Sequence, residues 1–411
     1  MIKIRCIGVG QGGVNMAEQF AKRGIITIAV DTAFQNLKNC KHIKENLRIH
    51  SKINEHGGAG KAIDQGEMAI SKYSQQIKDV IQLEFGKDNT IVYITVGLGG
   101  GTGTLGCVQI SRALSQLGIE HGIIATLPAE FEGTDETVNA YTGLYAVETL
   151  RRKSSNLKSI ILIENQKLRS KVKKEYDVEF EGTWEKANEF FVDLLLKPFN
   201  LTQVNSSFTV DGKDLEKIIK KDGYTIIGRT VISNISEKTE NALFPEVKNT
   251  WENGIFVENE YNRGKGLAVM LNRPKSITED GTIIENLLIQ MEGFIGSGTF
   301  AHGIYKDKEN WKDKINLLED KPLEVLTVLS GMPFPTKKFQ ELKKAAEGAI
   351  QEYKEKEGDP DIDFNLGLIK SYMDGETTCE DIEFSIFQKE EKIEKVQPID
   401  WKKNKLAKGN K

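Results

Sequence analysis

The stretch Gly97-Leu98-Gly99-Gly100-Gly101-Thr102-Gly103-Thr104-Leu105-Gly106 follows the apolar run Ile91 to Val96 and places six glycines in ten positions. Glycine costs backbone entropy, so such clustering needs a reason, and close approach of backbone N–H groups to an anion at a helix N-terminus supplies one. Two further clusters, Gly8-Val9-Gly10-Gln11-Gly12-Gly13 and Gly57-Gly58-Ala59-Gly60, bring the total to thirteen of the chain's 38 glycines. Phosphate is the guest this implies. Gly8, Gly10 and Gly13, with Asp31 after the next strand, also fit a dinucleotide fingerprint, which keeps an NAD-dependent enzyme open as an alternative, as is a plain strand-to-helix turn. A second, longer Gly/Thr loop in the middle of the same sheet suits a mononucleotide triphosphate better. It is not a Walker A loop, because no Gly-Lys-Ser/Thr closes it.

Around these loops, short apolar runs (Ile4 to Val9, Ile25 to Val30, Ile91 to Val96, Ile123 to Leu127, Ile160 to Ile163) alternate with amphipathic segments. Continuous apolar strands of this length predict a parallel sheet covered on both faces, a doubly wound α/β domain. From Gly182 to Phe199 a long helical pattern follows, which Pro198 is expected to end or kink. The strands near Tyr224–Gly228, Gly266–Leu271, Gly298–Ala301 and Leu323–Leu329 then read as α+β. Phe339, Leu342, Ala346, Ala349, Ile350 and Tyr353 recur at helical spacing and predict a helix ending near Gly358. The expected division is 1–181, 182–202, 203–335, 336–358, and a tail at 359–411 whose composition predicts disorder.

The chain has 411 residues, 56 Lys plus Arg against 60 Asp plus Glu, and a net charge of -4, so no global basic field drives it onto nucleic acid. Direct DNA binding is therefore expected to be absent or weak. No apolar run spans a membrane and no secretory leader is visible. Cys6, Cys40, Cys107 and Cys379 fall in no metal-type spacing, and with only 5 His no metal-ligand set is expected. A reducing cytoplasm is the expected compartment.

Gly99-Gly100-Gly101-Thr102-Gly103-Thr104 resembles the signature loop of the tubulin/FtsZ superfamily. The likeness runs along nearly all of the chain before the tail. It implies a tubulin/FtsZ-like architecture: a Rossmann-like GTP-binding domain, a long central helix, an α+β activation domain, and a C-terminal helix and tail. Gly10, Gln11, Gly12, Gly13 and Asn15 look like the first nucleotide loop, Asp31 and Thr32 like the second, and Gly58, Ala59 and Gly60 like the loop that senses the γ-phosphate. The Thr102 and Thr104 hydroxyls would add phosphate donors, and Glu132 would contact ribose. Trp184 and Asn188, four apart on one helical face, can stack on a purine and read its edge, with Asn165 as the second base-reading amide. Trp184 as a core aromatic is the competing reading. The implied ligands are GTP and GDP with Mg²⁺, and the activity is GTP hydrolysis.

Thr209-Val210-Asp211-Gly212-Lys213-Asp214 is similar to the family's catalytic loop, which reaches the GTP of the next subunit. On local grounds Asp211 is a helix N-cap and Asp214 a first-turn acid, which explains both without catalysis. The resemblance implies instead that hydrolysis is completed by assembly, in a head-to-tail filament of the protein with itself. Three positions depart from the family: Ala33 stands where an acid often ligates Mg²⁺, Glu136 where a cell-division relative has Arg, and Leu105 where the signature has Gly. Metal would then be held by phosphates and water. The long helix and the ending Trp401-Lys402-Lys403-Asn404-Lys405 look like the plasmid and phage partition branch, TubZ, whose tail engages an adaptor bound to centromere DNA. The alternatives are a division or phage-positioning polymer, and, for the lysines, a merely solvated end or nonspecific contact with DNA.

Overall fold

β-Branched runs buried on both faces build the centre of the molecule. The computed structural model describes residues 3–53, 57–85, 90–176, 182–204, 206, 208–233, 235, 238–239, 241–273, 281–306 and 322–357. In chain order β1 (Lys3–Val9), α1 (Gly10–Lys22), β2 (Thr27–Asp31), α2 (Phe34–Lys38) and β3 (Arg48–His50) come first. Next are α3 (Ile63–Lys72), α4 (Ser74–Phe85), β4 (Thr90–Gly97), α5 (Gly101–Gln116), β5 (His121–Leu127), α6 (Thr134–Lys153), β6 (Leu157–Glu164) and α7 (Asn165–Tyr176). The central helix α8 (Thr183–Leu201) leads to α9 (Gly212–Ile219), β7 (Gly223–Ile232), α10 (Leu243–Glu252), β8 (Gly266–Arg273), α11 (Gly281–Ile295), β9 (Thr299–Lys306), β10 (Leu323–Met332) and α12 (Thr336–Glu357).

Ten strands form one sheet in the order β3-β2-β1-β4-β5-β6-β7-β10-β8-β9. β1 to β6 are parallel, and β7 continues them in parallel through Ser159↔Gly223 and Ile160↔Tyr224. Antiparallel β10 then lies between β7 and β8, and β9 closes the edge parallel to β8. The α/β reading holds for the first half. The short β3 was not anticipated. Pro198 neither ends nor breaks α8, which continues to Leu201. The missing proline N–H is tolerated so near the end, where Thr202 N–H donates to the Pro198 carbonyl at 3.3 Å. The tail at 359–411, with Cys379 and the terminal lysines, lies outside the described residues.

All parallel strands point their C-terminal ends at one pole, where ligands bind in open α/β sheets. At the other pole, α9 is fixed to the strand starts: Lys220 pairs with Glu120 at 2.8 Å, and Glu120 with Lys158 at 3.2 Å. There too, the Ser111 hydroxyl donates to His121 Nε2 at 2.5 Å, while His121 Nδ1–H donates to the Ile119 carbonyl at 2.9 Å. Both hydrogen bonds use the neutral ring, and burial pushes its pKa down to about 4. Because the folded ring resists protonation, the unfolded chain binds more protons between the ordinary value near 6.5 and about 4, so stability present above that window is lost as pH falls through it. The full effect is about 3 kcal/mol. Melting curves from pH 7 to 4 should therefore fall less steeply for His121→Asn than for the parent; parallel profiles would assign the acid sensitivity elsewhere.

Candidate active site

Three glycine clusters far apart in sequence meet at the C-terminal ends of β1, β2 and β4. Gly10 sits at φ +67°, and a Cβ there would stand 2.8 Å from the Gly103 backbone N. A Cβ on Gly13 would lie 2.1 Å from the Thr95 carbonyl oxygen, and the Thr95 hydroxyl donates to the Gly13 carbonyl at 2.8 Å. Helices α1 and α5 can therefore begin side by side only because glycine removes the side chains between them. Gly101 N–H donates to the Gly60 carbonyl at 3.0 Å, which brings in the third cluster. Around Gly60 and Gly100 no atom lies within 4 Å of where a Cβ would be, and Gln11, Gly12 and Asn15 are exposed. The first-turn N–H groups of two helices, with their dipoles, thus face a common open space, a cradle that fits the phosphates of a nucleotide.

Side chains lace the cradle together. The Thr32 and Thr102 hydroxyls lie 2.5 Å apart, and Ala59 N–H donates to Thr32 Oγ1 at 3.0 Å. Asp31 is buried, with its carboxylate accepting from Ala33 N–H at 3.0 Å and from Asn36 Nδ2 at 2.9 Å. Burial raises its pKa, and these hydrogen bonds oppose that only in part. Asp31 thus braces the turn that follows β2. Thr104 corrects an expectation: its hydroxyl is fully buried and donates to the Gly100 carbonyl at 2.6 Å, so it anchors the helix turn instead of facing a phosphate. Gly58 packs against Thr32 and Ala33, and Gly99 against Glu136. Glu136, at the position of the absent arginine, forms an ion pair with Lys61.

Beyond the cradle, Glu132 Oε1 accepts from Ala129 N–H at 2.8 Å and from Asn165 Nδ2 at 3.1 Å, so the expected ribose and base residues touch. Trp184 is half-buried and lies 6.5 Å from Phe131, ring centroid to centroid, with the planes at 34°. It is not a core residue. The Arg169 guanidinium covers Phe131 at 4.5 Å, and Asn188 is half-buried one helical turn from Trp184. Flat rings and amides therefore border one rim of the site. Among the described residues no group of three or more His, Cys, Asp or Glu could hold a metal ion.

Asp211 and Asp214 stand at the start of α9, past the other end of the central helix from Trp184. Asp211 Oδ1 caps α9 by accepting Asp214 N–H at 2.8 Å, and Asp214 pairs with Lys217 at 3.3 Å, so the local account of both acids holds. The loop before them is pinned to the edge strand: Phe208 bridges Ile304, and Val210 N–H donates to the Tyr305 hydroxyl at 3.1 Å. A Cβ on Gly303 would meet Val210 N at 2.8 Å, so that strand must be bare where the loop crosses. Between Trp184 and this loop runs the central helix, 19 residues or about 28 Å long.

Three supporting residues escaped the sequence reading. Asn139 Nδ2 donates to the carbonyls of Lys61 at 3.0 Å and Gly99 at 3.1 Å, joining two loops; Tyr305 holds the acidic loop; Phe131 faces Trp184. Only Phe131, an aromatic beside Glu132, carried a local signal.

Comparison with known proteins agrees with this geometry. Residues 3–173 match the model of the Tubulin/FtsZ family, GTPase domain. The tubulin-like protein CetZ of Thermococcus kodakarensis is 26% identical over 334 residues, 79% of this chain and 81% of that protein. Cell division protein FtsZ of Aquifex aeolicus is 30% identical over 234 residues, 55% of this chain and 59% of that one. Among solved structures, a GTPγS-form protofilament of Bacillus thuringiensis serovar israelensis TubZ superposes with a TM-score of 0.70 at 17% identity, covering 86% of this chain and 94% of that one. At that identity the likeness is one of fold. The matched family model spans β1 to β6, the strands that carry the phosphate cradle, so residues 3–173 form a GTPase domain of the tubulin/FtsZ type, and the chain as a whole has the tubulin/FtsZ fold.

Proposed function

We propose that this protein binds GTP between the glycine loops and the Trp184 rim, assembles head to tail, and hydrolyses GTP only at the junction between subunits. The observation that carries this reading is that Trp184 and Asn188 stand at the start of α8, while the acidic loop follows its other end and is pinned to the edge strand at Ile304 and Tyr305. In this reading Asp211 and Asp214 act not on the nucleotide of their own subunit but on that of a second copy docked end to end. A contact between two unlike faces repeats without closing and makes a filament. It needs to bury on the order of 800 Å² per partner. CetZ, FtsZ and TubZ proteins surround the chain in sequence or fold, and the TubZ neighbour is itself a protofilament.

At such a junction the backbone N–H groups of Gly10 to Gly12 and Gly101 to Gly103 hold the phosphates and take up charge as the γ-phosphoryl group leaves. Asp214 of the incoming subunit orients the attacking water and accepts its proton, and Asp211 fixes the turn that presents Asp214. A magnesium ion would be held chiefly by the phosphates and water, since the described residues offer no group of three or more His, Cys, Asp or Glu for it, and it would supply further neutralisation of phosphate charge. Trp184 stacks on guanine while Asn165 and Asn188 read its edge.

For the cargo, we propose plasmid or phage DNA segregation through an adaptor that binds the C-terminal tail, supported by the TubZ-like fold and the 22-residue helix α12 that leads to that tail. The sequence identities favour a second reading, a CetZ- or FtsZ-like polymer of the cell itself. Truncation before Trp401 should leave polymerisation intact and abolish recruitment of adaptor–DNA complexes; unchanged recruitment would remove the tail from the partition reading.

The catalytic assignment is tested by Asp214→Asn. Retention of GTP and pelleting should be unchanged, while phosphate release in assembled polymer falls by roughly 100-fold or more. Parental turnover in that variant would refute it.

A further inference from the structure

The first turn of α12 reaches the base rim through a short chain of polar contacts. Lys338 pairs with Glu164 Oε2 at 2.9 Å, and Glu164 Oε1 with Lys167 at 2.6 Å. The Glu164 side chain is only 15% exposed and that of Lys338 24%, so water screens the pair weakly. Burial alone would lower the Lys338 ammonium, but Glu164 and Glu341 outweigh it and raise its pKa, keeping it charged. Glu164 is the last residue of β6, and its N–H donates to the Ile255 carbonyl at 3.0 Å. Asn165 follows directly and holds Glu132 at 3.1 Å.

The turn of α12 that supplies Lys338 is itself seated firmly. Phe339 stacks on Tyr141 at 5.0 Å and on Tyr145 at 6.2 Å, both on α6, and meets Phe334 at 5.1 Å. Lys337 pairs with Glu258 at 2.8 Å. Helix α6 begins two residues after Glu132, so the seat of α12 bears on both partners of the Glu132–Asn165 contact.

We infer that Lys338 and Glu164 are positioning residues for guanine recognition: the ion pair between α12 and the end of β6 sets the Asn165 amide against Glu132 and so fixes which base edge it reads. With one N–H held by Glu132, the Asn165 amide is oriented and its oxygen is left to accept from the N1–H and 2-amino donors of guanine. An untethered β6 end lets the amide turn, and the penalty for a base lacking the 2-amino group fades. Through the same contact, guanine discrimination depends on the seating of the helix that leads to the tail. The inference rests on the base-pocket assignment made above.

The test measures GDP and IDP dissociation constants of the full chain, diluted below assembly, because IDP differs from GDP only by the missing 2-amino group. Lys338→Met should shrink the GDP:IDP affinity ratio by about fivefold, with Lys338→Arg retaining it. Glu164→Gln cuts the same link from the other side and should behave like Lys338→Met, which covers a folding defect in either variant. A purely structural role would weaken both nucleotides together, and an unchanged ratio in Lys338→Met and Glu164→Gln overturns the inference. Asn165→Ala separates the two levels. If it shrinks the ratio while the ion-pair variants do not, the relay alone is wrong; if it too leaves the ratio intact, the base pocket is misassigned and the relay falls with it.

Discussion

Everything at the nucleotide end depends on how closely two helix starts approach. The backbone N of Gly103 lies where a Cβ on Gly10 would collide with it at 2.8 Å, so the cradle exists only while both positions lack side chains. From this approach follow the convergence of two helix dipoles and the open space beside Gly60 and Gly100, a cradle of backbone N–H groups suited to an anion. Lys61, the basic residue next to the third cluster, is paired with Glu136. The carboxylates that border the cradle are each engaged, Asp31 by Ala33 and Asn36, Glu132 by Ala129 and Asn165, and Glu136 by Lys61.

The second constraint is the reach of α8. The helix runs from the Trp184 rim toward the acidic loop, and the continuous sheet from β6 through β7 to β10 lies beside it. Asp211 caps α9 by accepting the Asp214 N–H, which fixes the turn that carries both acids. Tyr305 and Gly303 on the edge strand then determine where that turn stands.

Much of this was legible in the chain. Parallel strands buried on both faces leave continuous Ile/Val runs, and glycine clusters at strand ends betray close backbone approach. β3, three residues long, left no such signature, and Pro198 misled because a missing N–H costs little within the last turn. The role of Thr104 was invisible, since a hydroxyl bonding to the carbonyl four residues back reads in sequence like one facing a ligand. Asn139, Tyr305 and Lys338 act across 40 to 174 residues, distances at which an isolated sequence offers no pairing rule.

The proposed function makes catalysis a property of the junction rather than of the subunit, since the acids lie beyond the far end of α8 from Trp184. The most direct measurement is GTP turnover per subunit as a function of protein concentration. Turnover should stay near zero in dilute protein, then rise together with pelletable polymer. A constant rate per subunit, undiminished in monomers that never associate, would contradict hydrolysis across the junction.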